Sequence, residues 1–200
     1  MRATLPTLDP GAIVIAADAG VHEAERIGLH VDLLVGDLDS ADPAAVARVE
    51  ATGGRVERHP ADKDASDLEL ALVAAAAADA RRVLVLGGDG GRLDHLLGNA
   101  FLLASTRFAE LRIDAVLGAA RIHVIRDERT MEGVAGELVS LFAAGGPALG
   151  VSTEGLRWRL DGDDLLPGST RGLSNEFVEE TAIVHVGDGV VLAVRPGAET

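Results

Sequence analysis

The chain has 200 residues, with 18 basic and 32 acidic side chains, a formal net charge of −14 and no cysteine. Because nucleic-acid-binding proteins need a basic surface to displace counterions, this charge argues against a nucleic-acid partner and against an anionic membrane surface. The absence of cysteine excludes disulfides and zinc–thiolate sites.

The longest uncharged apolar stretch covers residues 70–78, which is too short to span a bilayer. No signal peptide is recognisable at the N-terminus. We therefore predict a cytoplasmic protein with no membrane association. Since only 2% of the residues are aromatic, its core must be built from aliphatic side chains.

The first part of the chain, residues 1–119, alternates short apolar segments with helical ones. Branched apolar residues predict buried strands over residues 13–17, 32–35, 83–86 and 113–117. Asp42 before Pro43 is typical of a helix N-terminus, and Ser66 with Glu69 forms a capping box for a second helix. A third helix is predicted over residues 93–105. This alternation predicts an α/β fold whose N-terminal domain is a Rossmann-like parallel sheet with flanking helices.

The remainder, residues 120–200, has a different pattern. Short β-branched segments at 121–126, 137–143, 156–160, 182–186 and 190–194 predict strands separated by glycine-rich turns. Residues 187–189, Gly-Asp-Gly, predict a hairpin between the last two strands. We therefore expect a C-terminal antiparallel β-sandwich domain and a domain boundary after residue 119.

Acidic and polar residues follow the predicted strands of the first domain. Because the carboxyl ends of parallel strands meet at one edge of a sheet, we expect at least five carboxylates to converge there. The residues in question are Asp18 and Gly20 after the first strand, Asp37, Asp39 and Ser40 after the second, Gly90, Gly91, Arg92, Asp94 and His95 after the third, and Lys63, Asp64 and Asp67 before a helix.

Carboxylates packed together repel each other unless a cation neutralises them. With oxygen ligands alone, Mg²⁺ is the expected occupant, and it commonly shares its ligand shell with substrate phosphates. Glycine-rich backbone lets amide groups approach an anion, and Arg92 and Lys63 can neutralise phosphate oxygens. The pattern predicts Mg²⁺-dependent phosphoryl or pyrophosphoryl transfer, and it leaves the acceptor open.

Each of these features taken singly also has a structural explanation. Asp37 and Asp39 could form a turn that ends a strand, and Asp18 could cap a helix. Ser66 with Glu69 could serve only as a capping box, and Asp94 could serve only the helix dipole. Their joint occurrence after successive strands favours a functional site.

The ordered motifs resemble the thiamine pyrophosphokinase family. The matching segments are residues 17–20 (ADAG), 36–40 (GDLDS), 63–69 (KDASDLE), 90–95 (GGRLDH) with Asn99, 150–156 (GVSTEGL) and 172–176 (GLSNE). The resemblance covers nearly the whole chain. Members of the family usually have a further strand before the first of these motifs. The resemblance therefore implies either a sheet with one strand fewer or a truncated start.

The resemblance implies transfer of diphosphate from ATP to thiamine in a homodimer, with each active site between the first domain of one subunit and the β-domain of the other. It assigns Mg²⁺ and the ATP phosphates to Asp37, Asp39, Asp64 and Asp67, and completion of the reaction centre to Arg92 and Asp94. The residues expected near the nucleotide are Asp18, Gly20, Ser40, Lys63, Gly90 and Gly91. Those expected near thiamine are His95, Asn99, Trp158, Ser174 and Asn175.

Three alternatives stay open at this point. A related pterin diphosphokinase would share the acidic edge, although residues 173–175 favour thiamine. A non-catalytic nucleotide- or thiamine-binding protein could have the same fold, although every acidic position of the motifs is intact. Trp158 could be a core residue of the sandwich instead of a thiamine contact.

Overall fold

The computed structural model of the chain describes residues 8–87 and 92–197. It contains two compact units, of which the first lies within Leu5–Ala80 and the second within Arg81–Thr200. Each unit has its own hydrophobic core. Among the described residues, none of the helices has the length and apolar character needed to cross a membrane.

The first unit is a three-stranded parallel sheet with three helices. Its elements, in chain order, are β1 (Ile15–Ala17), α1 (Gly20–Arg26), β2 (Leu33–Gly36), α2 (Pro43–Ala51), β3 (Arg55–Arg58) and α3 (Asp67–Ala77). The strands lie in the order β1-β2-β3, and both pairs are parallel. The predicted alternation of strand and helix is thus confirmed for this unit, with β3 as an additional strand that its charged sequence, RVER, concealed.

The two predicted helix caps are also confirmed. Asp42 Oδ1 accepts a hydrogen bond from the Ala44 amide at 2.9 Å, which opens α2. Ser66 Oγ accepts from the Glu69 amide at 3.2 Å and opens α3. Each cap satisfies an amide that the helix itself cannot pair. The second cap makes Asp67 the first residue of α3, and this determines the position of the Asp67 side chain.

Small and branched aliphatic side chains fill the core of the first unit. Val21 of α1, Leu34 of β2 and Ala45 of α2 are completely buried. This packing holds β1 beside β2 with Ala17 opposite Val35. The residues that directly follow the two strands therefore lie next to each other.

The second unit consists mostly of strands arranged in two sheets. Its elements are β4 (Arg82–Leu86), α4 (Leu93–Leu103), β5 (Arg112–Leu117), β6 (Ala120–Ile125), β7 (Glu128–Glu132), β8 (Leu138–Ala143), β9 (Ala148–Glu154), β10 (Asp161–Leu165), β11 (Asn175–Glu176), β12 (Thr181–His185) and β13 (Val191–Arg195). One sheet has the order β11-β8-β13-β6-β5-β4 and the other has the order β10-β9-β12-β7.

The two sheets share one buried core. Met131 and Val184 from the four-stranded sheet pack in the same cluster as Leu141 and Val191 from the six-stranded sheet, and Phe177 lies among them. All the pairs between β6 and β13 in sequence are antiparallel. The predicted antiparallel sandwich with a mainly aliphatic core is confirmed.

The strands β4 and β5 are placed differently from the simplest expectation of one parallel sheet. They pair in parallel with each other, but β5 turns back into β6, with Leu117 opposite Ala120. A connection of only two residues can join antiparallel neighbours and cannot return to a parallel one. Both strands consequently belong to the six-stranded sheet. The predicted domain boundary falls in this turn and stays a prediction.

The predicted hairpin at residues 187–189 is wrong. The strand before it, β12, lies in the four-stranded sheet and the strand after it, β13, lies in the six-stranded sheet. The turn is fastened to β9 instead: the Gly187 amide donates to Leu149 O at 3.0 Å, and the Leu149 amide donates to Asp188 O at 2.8 Å. These hydrogen bonds hold the segment in which the chain passes from one sheet to the other.

The predicted strand over residues 156–160 is wrong as well. These residues form a turn between β9 and β10, with one isolated bridge between Leu156 and Phe177. Leu156 and Leu160 are buried as a strand pattern suggests, but Trp158 between them is 54% exposed. The strand that follows, β10, has the sequence DGDDL. Because Asp and Gly are depleted in strands, the sequence did not predict it.

Asp114 of β5 forms a partly buried ionic cluster with residues of β6 and β7. Asp114 Oδ1 lies 2.7 Å from His123 Nδ1, and both Asp114 oxygens accept from Arg129. Burial acts to raise the pKa of Asp114, but the hydrogen bonds from His123 and Arg129 outweigh it and hold the pKa below its ordinary value. The ionised carboxylate therefore stabilises the fold.

We expect Asp114→Asn to lower the free energy of unfolding by about 2 kcal/mol at pH 7, because the buried Arg129 loses its carboxylate partner. The depressed pKa means that this stabilisation is present above the unfolded pKa of about 4 and is lost as the pH falls through the folded value. Urea unfolding between pH 7 and pH 3 should show the difference from wild type shrinking. The exposed Asp188→Asn is the matched control, and a pH-independent difference would contradict the argument.

Candidate active site

The acidic residues of the first unit lie where β1 and β2 end. Asp18 directly follows β1, and Asp37 directly follows β2. The Asp18 amide donates to Val35 O at 2.9 Å, so the chain leaves β1 still bonded to its neighbour. Asp67 is the first residue of α3. Three segments distant in sequence thus bring one carboxylate each to the same place.

One carboxylate oxygen each of Asp18, Asp37 and Asp67 lies within 4.8 Å of the others. This is the one group among the described residues whose acidic or histidine side chains are close enough to hold a metal ion together. The Asp37 and Asp67 side chains are only 17% and 29% exposed. Of the five or more carboxylates expected to converge, these three are confirmed to lie together.

Gly36 makes room for the group. A β-carbon at this position would lie 3.0 Å from Asp67 Oδ1 and 3.2 Å from Asp18 Cβ. The backbone has φ 143°, which side-chain-bearing residues rarely adopt. A glycine is therefore required here both by the space and by the conformation.

We expect Gly36→Ala to lower the free energy of unfolding by more than about 1 kcal/mol, because alanine is strained at this φ. It should also weaken activity, since its methyl group pushes against Asp67 and Asp18. Thermal unfolding and an activity assay measure the two effects. Gly11→Ala is the control, because a β-carbon at Gly11 would have no neighbouring heavy atom within 4 Å. Equal stability of the two variants would contradict the prediction.

Lys63 is the cation that the described residues themselves supply to this group. Its Nζ lies 3.3 Å from Asp37 Oδ2 and 3.1 Å from Asp67 Oδ1, and its side chain is 13% exposed. Burial acts to lower the pKa of Lys63, but the carboxylates of Asp67 and Asp37 outweigh it and raise the pKa. Lys63 is therefore held charged between two acidic side chains.

The carboxylates of the group differ in their electrostatics. The Asp39 amide donates to Asp37 Oδ1 at 3.2 Å, and this bond, followed by Lys63, lowers the pKa of Asp37. Burial, with the negative charges of Asp67 and Asp37, raises the pKa of Asp18. The charged form of Asp37 is thus favoured, whereas the charged form of Asp18 is disfavoured.

The donor set fits a hard divalent cation. Asp18 Oδ1 is buried and accepts no hydrogen bond from any described residue. A buried carboxylate oxygen without a donor is costly unless a cation compensates it. All three ligands are oxygens, which suit Mg²⁺ better than softer metals. The residues present can therefore hold such an ion.

Several predicted site residues of this unit lie outside the group of three. Asp39, Ser40 and Asp64 are exposed, and Ser40 Oγ donates to Asp39 Oδ1 at 2.9 Å. Gly20 is exposed at the start of α1. The metal roles of Asp39 and Asp64 stay predictions. Asp18, expected beside the nucleotide, is the third member that the sequence did not single out as a metal ligand.

The remaining predicted reaction residues lie on or near α4 of the second unit. Arg92 Nη2 lies 2.6 Å from Asp94 Oδ2, and this hydrogen bond is the main reason that the pKa of Asp94 is lowered to about 2. His95 is exposed and Asn99 is half-buried. Gly90 and Gly91 lie outside the described residues. The predicted approach of Asp94 to Asp37 and Asp64 stays a prediction.

Three of the residues expected near thiamine, Trp158, Ser174 and Asn175, belong to the sandwich. Trp158 is exposed, so the alternative of a core position for it is wrong. The Arg157 guanidinium lies 5.8 Å from the centre of the Trp158 ring. The Ser174 backbone has φ 55°, and its amide donates to Ser140 Oγ at 3.0 Å. Asn175 is buried.

Two family models match this chain. Residues 7–115 match the thiamin pyrophosphokinase catalytic domain, and residues 120–191 match the thiamin pyrophosphokinase vitamin B1 binding domain. The group of three carboxylates lies in the first match, and Trp158, Ser174 and Asn175 lie in the second.

Thiamine pyrophosphokinase 1 of Oryza sativa subsp. japonica is 30% identical over an alignment of 170 residues that covers 78% of this chain and 62% of the rice protein. The chain thus spans about three fifths of the length of the curated rice relatives that it matches first. The crystal structure of thiamine pyrophosphokinase from Bacillus subtilis has a TM-score of 0.83 and 24% identity, covering 96% of this chain and 91% of that chain. A thiamin pyrophosphokinase family protein from Enterococcus faecalis has a TM-score of 0.80 and 25% identity, covering 97% and 93%.

Proposed function

Because the chain belongs to the thiamin pyrophosphokinase family, we propose that it transfers a diphosphate group from ATP to the hydroxyl group of thiamine, giving thiamine diphosphate and AMP. The observation that carries the proposal is the group of Asp18, Asp37 and Asp67 with Lys63 among them. This group lies in the part of the chain that matches the family's catalytic domain.

We propose that Asp18, Asp37 and Asp67 hold Mg²⁺, with Asp39 and Asp64 as further predicted ligands. The buried, unpaired oxygen of Asp18 supports this assignment. When bound, the ion neutralises phosphate oxygens of ATP and the charge that develops during transfer. Lys63 is held charged beside the same site and would bind a phosphate oxygen of the nucleotide.

In the proposed reaction the thiamine hydroxyl oxygen forms a bond to the β-phosphorus of ATP. The bond from this phosphorus to the oxygen that bridges to the α-phosphorus breaks, the hydroxyl proton is released, and AMP leaves. Such transfers depend chiefly on alignment and charge neutralisation. Arg92, oriented by Asp94, is a second proposed cation for the phosphate oxygens.

The substrate contacts keep their predicted assignments as proposals. Gly20, Ser40, Gly90 and Gly91 are assigned to the nucleotide. His95, Asn99, Trp158 and Ser174 are assigned to thiamine, and the exposed indole of Trp158 supports this because a stacking surface must be accessible. A cytoplasmic location is likewise proposed from the sequence.

The function is tested by measuring AMP release from ATP and Mg²⁺ with and without thiamine, together with the appearance of thiamine diphosphate. We expect AMP and thiamine diphosphate to form in equal amounts and only when thiamine is present. AMP release that a pterin alcohol stimulates instead would favour the pterin diphosphokinase, although both family models support thiamine. Binding of the substrates without turnover would favour the non-catalytic alternative.

We also propose that the protein is a homodimer with its active sites at the subunit interface. Leu93, Leu97 and Phe101 lie four residues apart along α4 and are 67%, 49% and 63% exposed. Residues with this spacing share one face of a helix. An exposed apolar face of this kind is typical of an association surface, and a second copy of the chain is the proposed occupant.

We expect Leu97→Glu to convert a dimer into monomers of 20.6 kDa, because a charge would have to be buried on association. Light scattering coupled to size-exclusion chromatography measures the mass. Leu166→Glu is the matched control, since Leu166 is exposed to a similar degree away from α4. A wild-type monomer, or a variant that stays dimeric, would contradict this interface.

A further inference from the structure

Asn175 is buried, although it lies in a segment expected to border thiamine. It is only 3% exposed, and its backbone pairs with Val139 at the edge of the six-stranded sheet. A side chain with so little accessible surface has little opportunity to contact a ligand. Its role must be sought in what its amide group binds inside the protein.

The amide group of Asn175 clamps the backbone of Trp158. Asn175 Oδ1 accepts from the Trp158 amide at 3.0 Å, and Asn175 Nδ2 donates to Trp158 O at 2.8 Å. Oδ1 also accepts from the Glu176 amide at 2.9 Å. Because a backbone N–H can only donate, these contacts settle which end of the amide group faces which atom. Three of its four hydrogen-bonding positions are used.

The turn that carries Trp158 is held at further points. The Arg157 amide donates to Glu176 O at 2.9 Å. On the other side of the turn, Thr153 Oγ1 accepts from the Leu160 amide at 2.9 Å, and Thr153 is 1% exposed. The backbone on both sides of the exposed indole is therefore fixed by buried polar side chains.

We propose that Asn175 is a positioning residue that acts on thiamine only through Trp158. By fixing the backbone of the turn, it presents the indole as a rigid, exposed stacking surface, so that binding does not have to order a mobile loop. As far as thiamine is concerned, this inference rests on the proposed function. The clamp on Trp158 is measurable without any substrate.

The first test uses the fluorescence of Trp158, which is the one tryptophan of a chain without tyrosine. We expect Asn175→Ala to lower the fluorescence anisotropy of the indole and to raise its quenching by acrylamide. Thr153→Val removes the hydrogen bond on the other side of the turn and should shift both signals in the same direction. Val191→Ala, a core substitution in β13, controls for general loss of stability and should leave both signals unchanged.

The second test is thiamine binding and turnover. We expect Asn175→Ala to raise the KM for thiamine about tenfold, as loss of buried hydrogen bonds suggests, with little change in kcat or in the KM for ATP. In a Trp158→Ala background the same substitution should have almost no further effect, because residues that act as one unit are not additive. Thr153→Val, at a position that is 1% exposed, should also raise the KM for thiamine.

Opposite results would overturn the inference. A full tenfold further loss in the Trp158→Ala background would show that Asn175 contacts thiamine itself. An unchanged Trp158 signal in a folded Asn175→Ala variant would show that the clamp does not control the turn. Should Asn175→Ala fail to fold, Asn175→Asp keeps the acceptor for the Trp158 amide and loses the donor, and Thr153→Val supplies the independent measurement.

Failure of the proposed function has a different signature. If the wild-type protein neither binds nor converts thiamine, that function is wrong, whereas the fluorescence results still decide whether Asn175 and Thr153 hold Trp158. If wild type converts thiamine and the variants change neither the Trp158 signal nor the KM, the function stands and the positioning role is wrong.

Discussion

Replacing Asp37 with asparagine is expected to lower kcat/KM for thiamine by about a thousandfold, since a charge aimed at the transferring phosphates is lost. Asparagine keeps the shape of the side chain and an oxygen that can accept from the Asp39 amide. It removes the negative charge that faces Lys63 and the proposed Mg²⁺. The loss should therefore be one of activity, with a folded protein. Initial rates of AMP release at several Mg²⁺ concentrations measure it.

The matched control for this variant is Asp79→Asn. Asp79 is exposed, and its backbone has φ 57°, a conformation that asparagine adopts as readily as aspartate. It should keep wild-type activity while losing the same charge from the same unit. If the activity of Asp37→Asn is within tenfold of the control, Asp37 does not belong to the reaction centre. The proposal that the carboxylate group is the active site would then be wrong.

Asp18→Asn is expected to lower activity about a hundredfold and to raise the Mg²⁺ concentration needed for half-maximal rate about tenfold, as the loss of one metal-site interaction suggests. The reason is the buried Asp18 Oδ1, which lacks a hydrogen-bond donor among the described residues. Rates measured across a Mg²⁺ titration give both values.

The same variant should change stability in the opposite direction. Burial raises the pKa of Asp18, so its ionisation opposes folding above the unfolded pKa of about 4. A neutral asparagine removes this penalty, and metal-free Asp18→Asn should be at least as stable as wild type at pH 7. Gain of stability with loss of activity is typical of a functional residue. Urea unfolding with and without Mg²⁺ measures this effect.

Comparison with Asp39→Asn and Asp64→Asn decides between two ligand sets. The sequence motifs assign the metal to Asp39 and Asp64, with Asp37 and Asp67, whereas the structure groups Asp18 with Asp37 and Asp67. If Asp39→Asn or Asp64→Asn raises the Mg²⁺ requirement and Asp18→Asn does not, the motif assignment holds. In that case Asp18 serves the nucleotide, as its place in the ADAG motif predicts.

Features determined by nearby residues were predictable from sequence. The caps at Asp42 and Ser66 depend on amides two or three residues away. The placement of Asp18 and Asp37 after two strands follows from short apolar segments that end in polar residues. Such local rules predicted most helices, most strands and the acidic edge of the first sheet.

The direction of side chains within the acidic loops was beyond local rules. Leu38 has φ 63°, an uncommon backbone for a leucine, between Asp37 in the group and the exposed Asp39. A leucine does not predict this conformation. The sequence Asp-Leu-Asp does not indicate which of its two aspartates faces Asp67. The membership of the carboxylate group therefore depends on backbone geometry that long-range packing imposes.

By itself, the sequence determined the fold class, the family and the edge of the sheet where charge collects, because apolar periodicity, caps and ordered motifs are local properties of the chain. Tertiary structure alone decided which sheet each C-terminal strand joins, which three carboxylates meet, and that Asn175 clamps Trp158. Those outcomes depend on contacts between residues far apart in sequence. Such contacts form, and contribute to stability, only when the chain has packed.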